Sequence, residues 1–132
     1  MTIQDFDSMH ALWKKVGLNL AEMNLEKKYT DQIIKLNPLS NFVAIEKKKI
    51  IGTIFGTFNG KRGWIYHLAV HPLFQKQGVG SLLLQKVEQA LKSLGAKRIL
   101  LGVVKLNLKA LNFYKKHDYE VVNDAIWMGK DV

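Results

Sequence analysis

A chain of 132 residues with 48% apolar content is long enough for one folded domain, burying roughly two-thirds of the surface its unfolded form exposes. It has no cysteine and only four dispersed histidines, so no disulfide framework, cysteine nucleophile or metal site is expected, and no stretch reaches the ~20 apolar residues of a membrane span. The net charge of +9, from 20 basic and 11 acidic residues, predicts attraction to polyanions; a phosphate-bearing small molecule, nucleic acid and plain solvated lysines all fit it.

Asp5 and Asp7 open a first helix, with Phe6, Met9, Trp13 and Val16 on one face. Gly17 interrupts it. A second helix is expected over Leu25–Leu36, with Tyr29, Ile33 and Leu36 inward, and Asn37-Pro38 ends it. Phe42–Ile45 reads as a strand, Glu46–Lys49 as a charged turn and Ile50–Phe58 as the next strand. Gly52 and Gly56 within that strand point to a bulge or a close backbone approach. Asn59-Gly60 signals a hairpin, lengthened by Lys61-Arg62-Gly63.

Trp64–Val70 is aromatic and β-branched, as a buried central strand should be, and Pro72 stops it. From Ser81 onward Leu82, Leu83, Leu84, Val87, Ala90, Leu91 and Leu94 follow helical spacing with one broad buried face, and Gly95 ends the helix. Arg98–Val104 is continuously apolar, which predicts a strand buried on both faces and parallel to the central one. Asn107, a short helix over Leu108–Lys116 and a closing hairpin of Tyr119–Val122 and Ile126–Met128 complete the chain. Antiparallel strands followed by a helical crossover predict an α/β fold, a mixed sheet flanked by helices. Residues 1–132 are expected to form a single domain without repeats or linkers, and the absence of a basic-then-apolar signal pattern at the start predicts a cytoplasmic protein.

Between the central strand and the long helix lies Gln75-Lys76-Gln77-Gly78-Val79-Gly80. A helix N-terminus leaves backbone N–H groups unpaired and carries a partial positive charge. Glycines let a ligand come close to such a backbone, and a phosphate or pyrophosphate is the natural guest. The loop is not a P-loop, since no Gly-Lys-Ser/Thr follows, and it lacks the GxGxxG dinucleotide spacing.

With Val70 and Pro72 upstream, Gln75, Gly78 and Gly80 resemble the acetyl-CoA loop of the GNAT superfamily of N-acetyltransferases, Arg/Gln-x-x-Gly-x-Gly/Ala. Gln75 stands for the commoner Arg, and Lys76 stands where Gly is usual and so must tolerate that backbone geometry. Asn107, Ala110 and Tyr114 match a second family pattern, Asn-x-x-Ala followed by Tyr, with Asp118-Tyr119 in place of Gly-Phe. The Asn59–Gly63 turn is similar to that of small bacterial acetyltransferases. The likeness runs over Asp5–Lys130, and the family's first strand is missing or reduced to Met1–Gln4.

The resemblance implies direct acetyl transfer from acetyl-CoA to a primary amine, without metal. The pantetheine arm would lie along the backbone of Leu68, Ala69 and Val70, where strands splay apart. The phosphates would sit on Gln75, Lys76, Gln77, Gly78, Val79, Gly80 and Ser81. Asn107 would bond the arm while capping its helix. A backbone N–H near Val70 would polarise the thioester carbonyl. Tyr114 would protonate the departing thiolate, a feasible step for a phenol of pKa ~10 and a thiol of ~8.5. Neither usual carboxylate base is present: Trp64 and Gly102 occupy those positions. His67 is the local candidate, a water chain to solvent is the equal alternative, Glu22 and Glu46 are remote ones, and His71 reads as structural. Two other readings stay open: a non-catalytic CoA-binding or interaction module of the same fold, and a basic nucleic-acid-binding domain, although no nucleic-acid motif occurs. The amine acceptor, small molecule or protein, is not identified by the sequence; no membrane partner is expected, and a homodimer is left open.

Overall fold

The computed structural model describes all 132 residues. Four strands, β1 (Asn41–Glu46), β2 (Lys49–Phe58), β3 (Gly63–Val70) and β4 (Ile99–Leu101), join in that order. The first three run antiparallel, and β4 lies parallel to β3. They belong to one compact unit, Met1–Gly102, while Val103–Val132 forms a second.

No strand precedes the first helix; Ile3–Asp5 is a 3-10 turn that leads into α1 (Phe6–Val16). Phe6, Met9, Leu12 and Trp13 are buried, one stripe at helical spacing. Gly17 takes the left-handed conformation (φ 79°), and Leu18 N–H bonds the Trp13 carbonyl at 3.0 Å, which stops the helix. This face packs with Phe55 and Ala69 of the sheet.

The second helix, α2 (Met23–Leu36), corrects the expected inward face. Ile33 packs on the core, but Tyr29 is 48% and Leu36 76% exposed, and Glu26 and Thr30 are buried instead. Hydrogen bonds make that possible: Thr30 Oγ1 donates to the Glu26 carbonyl at 2.8 Å, and the Glu26 carboxylate has its own partners. A buried polar stripe leaves no trace in apolar periodicity.

Lys47 and Lys48, both with positive φ (47° and 65°), make the two-residue turn from β1 to β2, where glycine or asparagine is usual. Asn37, the C-cap of α2, accepts the β2 N–H of Phe58 at 3.0 Å and so ties that helix to the sheet, while Asn41 at the start of β1 accepts the N–H of Gly56 at 3.1 Å.

On the opposite face lies α3 (Val79–Leu94), buried through Leu83, Leu84, Val87 and Leu91. Leu82 and Leu94, expected in that face, are exposed; the apolar run is wider than the stripe that touches the sheet. Three glycines set the contact. A Cβ on Gly52 would stand 2.9 Å from Leu83 Cδ1, one on Gly56 2.3 Å from Val87 Cγ2, and one on Gly63 2.9 Å from Leu91 Cδ1. Leu83, Val87 and Leu91 are successive turns of α3, so the helix runs along a track of glycines. Gly95, left-handed at φ 111°, ends it.

The strand expected over Arg98–Val104 is shorter. β4 pairs only Ile99, Leu100 and Leu101, opposite Gly63, Trp64 and Ile65, and all three are half-buried because β4 is an edge of the sheet. Beyond Ile65, β3 continues to Val70 without a β4 partner, so the two strands part.

In the second unit, α4 (Leu108–Lys116) starts at Asn107, whose Oδ1 accepts the Ala110 N–H at 3.1 Å. Asp118 is left-handed (φ 69°), a conformation that usually favours glycine, and Tyr119 N–H returns to the Tyr114 carbonyl at 3.1 Å. The expected hairpin of Tyr119–Val122 and Ile126–Met128 is not formed. These runs are short, and Val121, Val122, Ile126, Trp127 and Met128 are exposed; local propensity does not make a strand without a ladder and a buried face.

Gly56→Ala tests the glycine track. The added methyl would meet Val87 and, at 2.8 Å, the Ser40 carbonyl, and a loss of about 1–3 kcal/mol is expected in urea unfolding. A wild-type midpoint would mean that α3 is not seated on β2 at this depth.

Candidate active site

The candidate site begins where β3 ends. His71 Nδ1 accepts the Leu73 N–H at 3.2 Å and opens the 3-10 turn Pro72–Phe74; the expectation that His71 is structural fits this bond. Gln75 Nε2 donates to the Val70 carbonyl at 2.9 Å, and Gln77 Nε2 donates to the Leu73 carbonyl at 3.1 Å. The first amide ties the loop to the end of β3, and the second ties it to the 3-10 turn that follows. Lys76 adopts φ 60°, the left-handed geometry its position demands, and Gly78 follows at φ 87°. Val79 then starts α3.

This helix end has the features of an anion seat. Gly78 has no side chain with which to cap the first turn, and that turn holds no acidic residue. The N–H groups of a 16-residue helix converge there with the positive end of its dipole. Lys76 adds a cation in the preceding loop. A phosphate or pyrophosphate suits this donor set.

The second feature is a bulge in β3. Thr53 pairs with Ala69 and Phe55 with Tyr66, so β3 carries one residue more than β2 between those pairs. His67 lies in the extra stretch at φ 51°, a conformation that costs a non-glycine residue on the order of 1 kcal/mol. A buried thread holds it: Trp13 Nε1 donates to Thr53 Oγ1 at 2.8 Å, and Thr53 Oγ1 donates to the His67 carbonyl at 2.9 Å. The imidazole stands edge-on to the Trp13 ring at 4.8 Å and lies 5.2 Å from the Phe55 ring.

His67 also meets a partner that sequence reasoning missed. Its Nε2 lies 3.1 Å from Oε1 of Glu26, while Glu26 Oε2 accepts the Ala21 N–H at 2.9 Å. Of the remote carboxylates considered for the base, Glu22 accepts the Asn24 N–H at 3.0 Å as the cap of α2, and Glu46 ends β1 opposite Lys49. The only local sign of Glu26 is its place four residues before Thr30, on the helix face that also carries Ile33.

Of the strand residues expected along a pantetheine arm, Ala69 turns its side chain into the core, Leu68 is half-buried, and Val70 pairs with Gly52. The β3 exit, the loop and the start of α3 form one continuous run of chain. Asn107 and Tyr114 belong to the second unit. There the Tyr114 ring packs against Phe113 and Tyr119, and burial pushes its phenol up from 10.0 to about 12. Nowhere do three or more His, Asp or Glu side chains gather as a metal site would require, and no helix is long and apolar enough to cross a membrane.

Comparison with known proteins shows the family. A protein of Pectobacterium atrosepticum named as an acetyltransferase is 33% identical over 130 residues, covering 96% of this chain and 88% of its own. Among solved structures, Ard1 from Thermoplasma volcanium superposes with a TM-score of 0.82 at 21% identity, over 92% of this chain and 80% of that one. The aminoglycoside N-acetyltransferase AAC(6')-Iy, solved in complex with CoA, gives 0.82 at 16% identity, over 100% of this chain and 92% of that one. At those identities the two structures speak for the fold. The family profile described as Acetyltransferase (GNAT) family matches residues 6–119, which takes in α1, the whole sheet, the glycine loop and α4. A bulged β3 feeding an uncapped helix start thus occurs in a chain that belongs to the GNAT family of acetyltransferases.

Proposed function

We propose that this chain is an acetyl-CoA-dependent N-acetyltransferase that moves the acetyl group directly to a primary amine. The observation that carries this reading is the junction of β3 and α3: a left-handed Gly78, no capping side chain, no acidic residue in the first turn, and a strand end beside it that β4 has left. The donor set suits the pyrophosphate of CoA, and the departure of β4 leaves the end of β3 unpaired on that side for an extended arm.

When bound, acetyl-CoA supplies an activated acetyl thioester. The backbone N–H near Val70 polarises its carbonyl. The amine nitrogen bonds to the acetyl carbon as the carbon–sulfur bond breaks. His67 takes the proton that nitrogen must lose, and Tyr114 gives one to the sulfur, so amide and thiol both leave neutral. Tyr114 takes this role from the resemblance to the family pattern that Asn107, Ala110 and Tyr114 match. Its raised pKa keeps it protonated at every physiological pH. Burial of that kind also disfavours a thiolate, so donor and acceptor shift in the same sense.

The charge of +9 bears on the acceptor. Part of it answers the phosphates of CoA. The remainder repels polycations such as spermidine and favours an amine on an acidic protein or peptide. Thiol release from acetyl-CoA, screened over acidic peptides with a free N-terminus, spermidine and an aminoglycoside, decides this. Fast spermidine acetylation would overturn the acidic-acceptor reading.

Gly80→Glu sets a carboxylate in the first turn of α3. Calorimetry with acetyl-CoA should show binding weakened at least about 100-fold, with the unfolding midpoint unchanged; undiminished affinity would refute this placement of the phosphates. Tyr114→Phe should lower turnover about 100-fold or more while acetyl-CoA affinity holds, and wild-type turnover would remove Tyr114 from the acid role. The phenol deprotonates only as pH rises through about 12. An ultraviolet difference titration of wild type against Tyr114→Phe should therefore show no phenolate from Tyr114 up to about pH 11, beyond the ordinary tyrosine range.

A further inference from the structure

Glu26 is a buried carboxylate, 7% exposed, in a helix whose expected inward face was apolar. Burying such a group is costly unless both oxygens find partners. Here both do, and the two partners differ in kind. Oε2 accepts the Ala21 N–H, a backbone donor that cannot change role. Oε1 faces His67 Nε2, a ring nitrogen that can either donate or accept. A carboxylate only accepts, so this pairing demands a proton on Nε2. In a neutral imidazole that leaves the lone pair on Nδ1.

The ring is held from its other sides as well. Trp13 of α1 meets it edge-on, Phe55 of β2 lies against it, and its strained backbone is fixed through Thr53. The side chain keeps 24% of its surface open, so the ring is not sealed in. A histidine clamped by two aromatic rings, oriented by a buried carboxylate and set in a left-handed bulge is arranged like a general base with its orienting group.

We propose that Glu26 is a positioning residue for His67: its carboxylate fixes the Nε2–H tautomer and so makes Nδ1 the atom that takes the proton from the acceptor amine. The kinetic half rests on the acetyltransferase reading above, in which His67 is the base; the tautomer itself does not.

The geometry gives an unusual expectation for the conservative variant. In Glu26→Gln the Ala21 N–H still needs an acceptor, so the amide oxygen must turn to it. The amide NH2 then faces His67 and donates to Nε2. That inverts the tautomer, with the proton on Nδ1. Glu26→Ala makes no such demand and leaves the ring to its own preference. A residue of merely structural importance would show the opposite order, with Gln milder than Ala.

Long-range 1H–15N NMR on the full chain, at a pH where imidazole is neutral, reads the tautomer directly. Wild type should show a protonated Nε2 and a bare Nδ1 on His67, and Glu26→Gln the reverse. A bare Nε2 in wild type, or an unchanged pattern in Glu26→Gln, overturns the proposal. In turnover, with the amine that the thiol-release screen returns, Glu26→Gln should lose about 100-fold in kcat, and more than Glu26→Ala, with the acceptor KM within about threefold. A raised KM with intact kcat would instead make Glu26 a binding site for the substrate ammonium and would also overturn it. His67→Asn separates the two layers, since asparagine tolerates the left-handed backbone but cannot serve as the base. If that variant turns over normally, His67 is not the base and the kinetic reading fails, while the NMR result on Glu26 stands by itself. If it is impaired and Glu26→Gln is not, the role of Glu26 fails alone.

Discussion

The depth at which α3 sits on the sheet governs the first unit. Gly52, Gly56 and Gly63 form a track with no side chains, and Leu83, Val87 and Leu91 lie in it at successive turns. Protein interiors are packed too densely to absorb a methyl group at 2.3 Å without displacement. The helix axis is therefore fixed by what these positions lack. Since α3 starts at the residue after Gly78, its height over the sheet also sets where its N-terminal amides emerge beside the end of β3. Helix packing and the placement of the α3 amides share one determinant.

The opposite face is organised by a polar thread in an apolar layer. Trp13 Nε1, Thr53 Oγ1 and the His67 carbonyl connect α1, β2 and β3 by two hydrogen bonds. The Thr53 hydroxyl accepts from one partner and donates to the other, so both of its neighbours are satisfied by a single group. This thread holds a β3 backbone that would otherwise relax, and it does so next to the only histidine that faces a buried carboxylate. Strain, bulge and titratable pair thus coincide at one place.

What the sequence disclosed and what it hid follow from the kind of signal each element carries. The buried face of α1, the long amphipathic helix with its Gly95 stop, and the close approach at Gly52 and Gly56 were legible. Each rests on periodicity or on residues with special backbone freedom, both of which are local. The Asn107 cap was legible for the same reason. Glu26 was not, because its partner lies 41 positions away and a buried carboxylate looks like a surface one until that partner is found. The same blindness turned α2 the wrong way, placing Tyr29 and Leu36 inside. The short β4 and the unformed hairpin after Tyr119 have another cause: apolar runs show that a strand is affordable, while its length depends on the neighbour it pairs with. The loop glutamines were read by their place in a motif, yet their amides are engaged with the carbonyls of Val70 and Leu73.

The parting of β3 and β4 has a consequence for how the sheet is held together. β1, β2 and β3 close on one another through short turns, at small entropic cost. The pairing of Gly63 with Ile99 closes a far longer segment, which contains the glycine loop and all of α3, and it is made by only three residue pairs. The segment that carries the loop is thus closed by the longest and thinnest contact of the sheet. A ligand that bound the loop only in the closed chain would, by mass action, lend its binding energy to the closure. A ligand of that kind is also a tie across the sheet's longest closure.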